Sequence, residues 1–190
     1  MKRIGLLGGT FNPPHIGHLL MANEVCVALN LDEVRLMPNA TPPHKVVNTD
    51  ASNEQRLEMV KLAVAPYENL TYESFEIEAG GISYTVDTMK GLREREPEAT
   101  FYFIIGGDMI DTLHTWDRIE ELLEDVQFVG VARPGTASKT KLPVLIVEVP
   151  QIDLSSTAIR QRLATGGNLE IILPEPVQTF IREEGLYGTK

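Results

Sequence analysis

Short apolar runs and longer stretches of helical spacing alternate along this chain. The first run, "RIGLLG" at residues 3–8, stops at paired glycines and predicts a buried strand. Apolar residues then recur at Ile16, Leu19, Leu20, Ala22, Val25, Cys26 and Leu29, which predicts a helix over 16–29. "EVRLMP" at 33–38 predicts a second strand closed by proline, and "PNATPPHKVVNTDAS" at 38–52 a polar, proline-bearing loop. Ser52 and Gln55 make a capping-box pair, opening a helix with apolar positions at Leu57, Val60, Leu62, Ala63 and Val64. "LTYESFEI" at 70–77 alternates and predicts a strand. Helical spacing returns over 85–96 and stops at Pro97. "TFYFIIGGD" at 100–108 predicts a strand running into a double glycine, and "LHTWDRIEELLED" at 113–125 an amphipathic helix. "VQFVGVARPG" and "LPVLIVEVP" predict further strands, and residues 156–165 and 174–183 two closing helices. No repeat or low-complexity tract is present.

Strands alternating with helices imply an α/β fold, a doubly wound parallel sheet with helices on both faces. Ligands of such sheets bind beyond the carboxyl ends of the strands, where strand order reverses. "GGTFNPPH", "GGD", "ARPG" and the start of "SSTAIR" fall in that kind of place. The length, 190 residues, suits a single domain over 1–190, with about 150–190 as a small helical appendage carrying "SSTAIR".

Composition narrows the function classes. Hydrophobic residues make up 43%, enough for a core and too many for a disordered chain. A formal net charge of -10 argues against non-specific nucleic-acid binding, which rests on basic surface, but leaves a local anion site open. Cys26 is the single cysteine, so neither an intrachain disulfide nor a multi-cysteine zinc site is available, and a free thiol suits a reducing cytosol. The apolar run near the N-terminus is too short for a signal peptide, and no stretch approaches the ~20 apolar residues of a membrane span. The expectation is a soluble cytoplasmic protein with no membrane partner. A homodimer is permitted and not demanded.

The densest chemistry lies in "GGTFNPPHIGH", 8–18. Gly8 and Gly9 lack Cβ and let backbone N–H groups approach an anion. Thr10 adds a hydroxyl, Pro13 and Pro14 stiffen the approach to the helix, and Gly17 leaves room against the backbone. A helix start there is expected to offer free N–H groups and partial positive charge. His15 and His18 are three apart and share a face of the first turn. All of this points to phosphate. Two plainer readings stand beside it: an ordinary structural turn, and a His-x-x-His zinc site completed by His44, His114 or a carboxylate, although no His-Glu-x-x-His pattern is present.

"GTFNPPHIGH" resembles the first signature of the nucleotidyltransferase superfamily, Gly-x-Phe-x-Pro-x-His-x-Gly-His, and "SSTAIR" at 155–160 its second. Between them, "SYTVDTM" and "FIIGGDMIDTLHTWDRIEEL" are similar to the bacterial nicotinate-nucleotide adenylyltransferase family, so the resemblance spans essentially the whole chain. It implies a Rossmann-like nucleotidyltransferase fold and the synthesis of nicotinate adenine dinucleotide and pyrophosphate from ATP and nicotinate mononucleotide. Class I aminoacyl-tRNA synthetases share the letters "HIGH", but no Lys-Met-Ser-Lys-Ser is found here. Pantetheine-phosphate adenylyltransferase is the near alternative within the superfamily. A non-catalytic nucleotide-binding module is the alternative outside catalysis.

The resemblance assigns His15 and His18 to catalysis on the ATP phosphates, and Gly8, Gly9, Thr10 and Phe11 to the joining phosphates. Ser156, Thr157 and Arg160 form a second clamp, for which a plain N-cap and solvent arginine are the alternative. Mg²⁺ is expected on the nucleotide's phosphates. Asp108, following Gly106 and Gly107 at a strand end, suits a ribose-hydroxyl acceptor or a helix N-cap. Trp116 is placed under the pyridine ring, with core packing against Leu113, Ile119 and Leu122 as the alternative, and the Thr85 N–H is offered to the nicotinate carboxylate. Asp117 is poorly suited to that carboxylate, so backbone donors would serve. His44 and Lys45 in the long loop, and Arg133 in "ARPG", are candidate cations for the mononucleotide phosphate, or else solvated loop residues.

Overall fold

The computed structural model describes residues 1–41, 50–132, 140–150 and 152–189. The elements follow as β1 (Lys2–Gly9), α1 (Ile16–Ala28), β2 (Glu33–Pro38), α2 (Asn53–Val64), β3 (Leu70–Tyr72), α3 (Phe75–Ala79), α4 (Thr85–Arg95) and β4 (Ala99–Gly106). They continue with α5 (Gly107–Ile110), α6 (Ile119–Asp125), β5 (Gln127–Ala132), β6 (Val144–Glu148), α7 (Ser156–Ala164) and α8 (Glu175–Glu183). The six strands pair in the order β3-β2-β1-β4-β5-β6, and every pairing is parallel. Order therefore reverses between β1 and β4, the crevice expected to hold a ligand.

Alternation along the strands sorts the core onto two faces. Leu7, Val34, Leu36, Ile104, Val129 and Val131 pack with Ala22, Val25, Met59 and Val60 of α1 and α2. The same cluster runs on into Ile159, Leu173, Val177 and Ile181 of the C-terminal segment. On the other face Ile4, Leu6, Phe101, Phe103 and Phe128 pack with Val86, Met89 and Leu92 of α4 and Leu122 of α6. The Ser52–Gln55 capping box forms as expected, with both reciprocal hydrogen bonds made.

Two elements depart from the pattern. The strand expected over 70–77 ends at Tyr72, and a short helix takes its place. Burial falls on Leu70, Glu73 and Glu76, a period near three, because the Glu73 carboxylate turns inward to Arg35 and Arg95 and accepts from the Phe75 N–H at 3.1 Å. The amphipathic stretch 113–125 is a 3-10 turn at Leu113–Thr115 and then α6. Arg118 interrupts it in the left-handed region, with φ 47°.

Candidate active site

The first motif crosses the end of β1 and enters α1. Gly9 is held close to Phe11: a Cβ there would lie 3.0 Å from the Phe11 ring. Phe11 takes φ 49°, and its buried ring meets the His18 imidazole edge-on at 4.9 Å. His15 and His18 stack with centroids 3.8 Å apart. Their caps are reciprocal: Gly17 N–H donates to His15 Nδ1 and His15 N–H donates to His18 Nδ1, each at 3.2 Å. Nδ1 is thus an acceptor in both rings, which leaves Nε2 to carry the proton of the neutral form. Burial lowers the His15 pKa to about 4; burial, and then the neighbouring His15, lowers that of His18 to about 3. Both imidazoles are neutral near pH 7 in the free protein.

The open helix start expected at α1 is not there. Ile16 N–H donates to Ile172 O at 3.0 Å, Gly17 N–H goes to His15 Nδ1, and the His18 and Leu19 N–H groups reach His15 O at 2.9 and 3.3 Å. The first-turn donors are spent on the cap and on the C-terminal segment. Among the described residues of the two motifs, the donors left for an anion lie in the loop before α1, on the imidazoles and at the start of α7. At α7, Ser155 caps by accepting from Ala158 N–H at 3.2 Å, and the Ser156 and Thr157 N–H groups have no partner among the described residues.

The second motif folds onto the first. Ser156 Oγ donates to Pro13 O at 3.0 Å, and Arg160 donates to Asn12 O at 2.8 Å and to Thr157 Oγ1 at 3.1 Å. Tyr187 O–H donates to the Asn12 side-chain oxygen. A cavity of about 400 Å³ opens beside this clamp, lined by Asp50, Thr157, Arg160, Gln161, Ala164, Tyr187 and Gly188. The plain reading of Arg160 as a free solvent arginine does not hold, because two protein acceptors fix its guanidinium.

Trp116 lies on the other side of the crevice. It is half-buried and edge-on to Phe103 and to Phe128, both at 5.9 Å. The Phe103 ring also backs Gly8, where a Cβ would meet it at 3.2 Å, so one ring links the first motif to the tryptophan. Residues 113–119 do not form one continuous helix, yet Trp116 and Ile119 still pack, half-buried, against the core cluster that holds Leu113 and Leu122, so the core-packing alternative holds in part. Thr85 is the first residue of α4, behind Tyr84. Arg118 bridges Asp87 of α4 at 2.7 Å and Asp117 at 2.9 Å, which ties the tryptophan turn to α4 and occupies the Asp117 carboxylate. Gly106 caps α5 and Asp108 sits exposed in its first turn, so Asp108 is not the N-cap. His44, Lys45 and Arg133 lie outside the described residues.

Sequence reasoning passed over Arg56, Asn12 and Tyr187. Arg56 carried a signal: it shares the stripe of Met59, Val60 and Ala63 on α2, a charge at i with apolar residues at i+3, i+4 and i+7. Tyr187 carried none. No group of three or more His, Cys, Asp or Glu that could hold a metal occurs among the described residues, and both histidine Nδ1 atoms are already hydrogen-bonded.

A doubly wound sheet with the two signature segments tied together at its reversal point defines a nucleotidyltransferase-type protein, and the chain belongs to the cytidylyltransferase-like family, whose model matches residues 6–162. Within it the chain is similar to the nicotinate-nucleotide adenylyltransferases. It is 48% identical over 190 residues to the protein of Geobacillus thermodenitrificans named probable nicotinate-nucleotide adenylyltransferase, covering all of this chain and 88% of that one. It is 45% identical to the Bacillus licheniformis protein of the same name, with both chains fully covered. Among solved structures, the Plasmodium falciparum nicotinic acid mononucleotide adenylyltransferase complexed with NaAD superposes with a TM-score of 0.80 at 19% identity, covering 100% of this chain and 99% of that one, which shows the shared fold. No helix among the described residues is long and apolar enough to cross a membrane.

Proposed function

We infer that this chain transfers the adenylyl group of ATP to nicotinate mononucleotide, releasing pyrophosphate and forming nicotinate adenine dinucleotide for NAD biosynthesis. The observation that carries the reading is the tie of "SSTAIR" onto the Asn12–Pro13 loop, beside two stacked neutral imidazoles. A phosphate oxygen of the mononucleotide attacks the α-phosphorus of ATP, the bond to the bridging oxygen breaks, and pyrophosphate leaves with that electron pair. The nucleophile is already an anion, so catalysis is alignment and charge stabilisation rather than activation of a side chain.

His15 and His18 donate Nε2–H to the ATP phosphates, and the loop from Gly8 to Phe11, with Thr10, faces the joining phosphates. Ser156, Thr157 and Arg160 hold the departing end, where charge-assisted hydrogen bonds contribute about 1.5–3 kcal/mol each. Trp116 offers its face to the pyridine ring, the Thr85 N–H meets the carboxylate, and Gly106 and Asp108 serve the ATP ribose. His44, Lys45 and Arg133 complete the reading as cations for the mononucleotide phosphate. Mg²⁺ fits as an ion carried by the nucleotide's own oxygens and water, since the described residues provide no cage for it; when bound it neutralises polyphosphate charge. A cytoplasmic location goes with these substrates.

The test is direct. Protein, ATP, Mg²⁺ and nicotinate mononucleotide are mixed and pyrophosphate is followed. Release is expected with that mononucleotide. Release with phosphopantetheine instead overturns the substrate, and ATP binding without turnover of any acceptor overturns catalysis. Comparing kcat/KM for the acid and amide mononucleotides then sets the preference.

A further inference from the structure

Arg56 is fully buried, at 0% exposure, and no side-chain carboxylate pairs with it. Residues 42–49, 133–139, 151 and 190, outside the described set, contain no Asp or Glu. Burial lowers its pKa from the ordinary arginine value. Its Nε–H has no partner among the described residues. A buried guanidinium with no carboxylate in hydrogen-bonded contact costs stability compared with an apolar side chain of similar size, and Glu54 acts on it only through space. What it does instead is collect carbonyls at the edge of the site. Nη1 donates to Thr10 O at 2.8 Å, and Nη2 donates to Asn39 O at 2.5 Å, Asn53 Oδ1 at 2.6 Å and Ala40 O at 3.3 Å.

Those carbonyls belong to two loops. Thr10 follows β1 and opens the phosphate loop. Asn39 and Ala40 follow β2, and Ala40 N–H donates to Ser83 Oγ at 3.1 Å while Ser83 N–H donates to Thr41 O at 3.0 Å. Ser83 lies two residues before Thr85. One guanidinium therefore spaces the loop read as facing ATP from the segment leading to the mononucleotide side.

Peptide geometry adds a second consequence. In a trans peptide the C=O and the following N–H point in opposite directions. The Thr10–Phe11 bond is trans, the cis bond being Asn12–Pro13. Pulling Thr10 O inward onto buried Arg56 turns the Phe11 N–H outward, where it has no partner among the described residues. With the α1 donors already spent, this amide is one of the few backbone donors left on the first motif.

We propose that Arg56 is a positioning residue for adenylyl transfer, holding the Thr10 carbonyl inward so that the Phe11 N–H faces the nucleotide's phosphates, and fixing the distance between the two substrate loops. The proposal rests on the functional reading above for its substrates. Arg56→Lys keeps the charge and loses the fork that reaches several carbonyls at once. Folded Arg56→Lys is expected to lose at least about tenfold in kcat while KM for ATP and for the mononucleotide moves less than about threefold, the signature of lost alignment. In ¹⁵N-labelled wild-type protein, saturating ATP without acceptor is expected to shift the Phe11 amide resonance, and Arg56→Lys to shrink that shift by half or more.

A kcat for folded Arg56→Lys within twofold of wild type overturns the proposal. So does a Phe11 amide unmoved by saturating ATP in wild type, a measurement that decides even where the variant does not fold. If ATP moves the amide but nicotinate mononucleotide is not turned over, the substrate assignment falls and the positioning of Phe11 stands.

Discussion

The two sides of the crevice are held by different means. Around the first motif, partners come from across the chain: Ile172, Ser156, Arg160, Tyr187 and Arg56 all close on residues 10–16. Around Trp116 the ring packs on buried Phe103 and Phe128, but the polar supports are exposed ion pairs on short elements. The 3-10 turn has three residues, α5 has four and α6 has seven, all too short to persist without tertiary support. The Arg118 bridges join side chains that are 37–56% exposed, and such pairs contribute about 0–1 kcal/mol. On the proposed reading the contrast follows from the chemistry. Two anions must be aligned against their repulsion around the first motif, where small displacements cost rate. The ring proposed to lie on Trp116 has only to be stacked and told from its neighbours.

The largest effect should come from the rigid side. On the proposed reading His18→Ala removes a donor to the reacting phosphates, and loss of one such donor typically lowers kcat by about 10²–10³. KM for the mononucleotide is expected to stay within about threefold. Steady-state kinetics on the purified variant checks this, and unchanged turnover removes His18 from the mechanism.

Acid provides the next test. With native pKa values near 4 and 3 against 6.5 for free imidazole, the unfolded chain binds protons that the folded chain refuses. The stability from the two neutral rings is complete above pH 6.5 and is lost as pH falls below it toward the native values. The expected loss is about 2–3 kcal/mol per ring by pH 4.5. Urea unfolding at pH 7.5 and 4.5 measures it, and the double variant His15→Gln, His18→Gln should show a flatter dependence. Equal pH dependence in the two proteins would mean that the stacked imidazoles are not held neutral.

The same contrast explains what was legible in the sequence. Alternation and helical spacing located nearly every strand and helix, because a sheet covered on both faces needs long apolar runs. Glycines, histidines and "SSTAIR" marked the segments that the fold brings together at the strand reversal, because the residue types that suit an anion site stand out locally. The sequence misled where a tertiary contact outranked a local rule. Ile172 fills a donor at the start of α1 that any isolated helix would leave open. Glu73 turns inward to two arginines and ends a strand that alternation would have continued. Arg56 broke the apolar stripe of α2 in plain view, but its value lies in carbonyls of two distant loops, which no local pattern encodes.

Trp116 gives the smallest and most discriminating test. It makes T-shaped contacts with Phe103 and Phe128, yet it is only half-buried, so packing and ligand contact are both open to it. A base stacked on an aromatic face typically loses about 1–3 kcal/mol when the ring is removed. Trp116→Ala should then raise KM for nicotinate mononucleotide about tenfold, the lower part of that range at roughly 1.4 kcal/mol per decade. KM for ATP should change less than about twofold, because the ATP loop is tied down independently on the other side. Trp116→Phe keeps an aromatic face and should recover most of the loss. Equal increases in both KM values, with a lowered unfolding midpoint, would make the tryptophan a core residue. They would also mean that Phe103, which packs against the Trp116 ring and leaves no room for a Cβ at Gly8 without a shift, couples the two sides that the hydrogen bonding keeps apart.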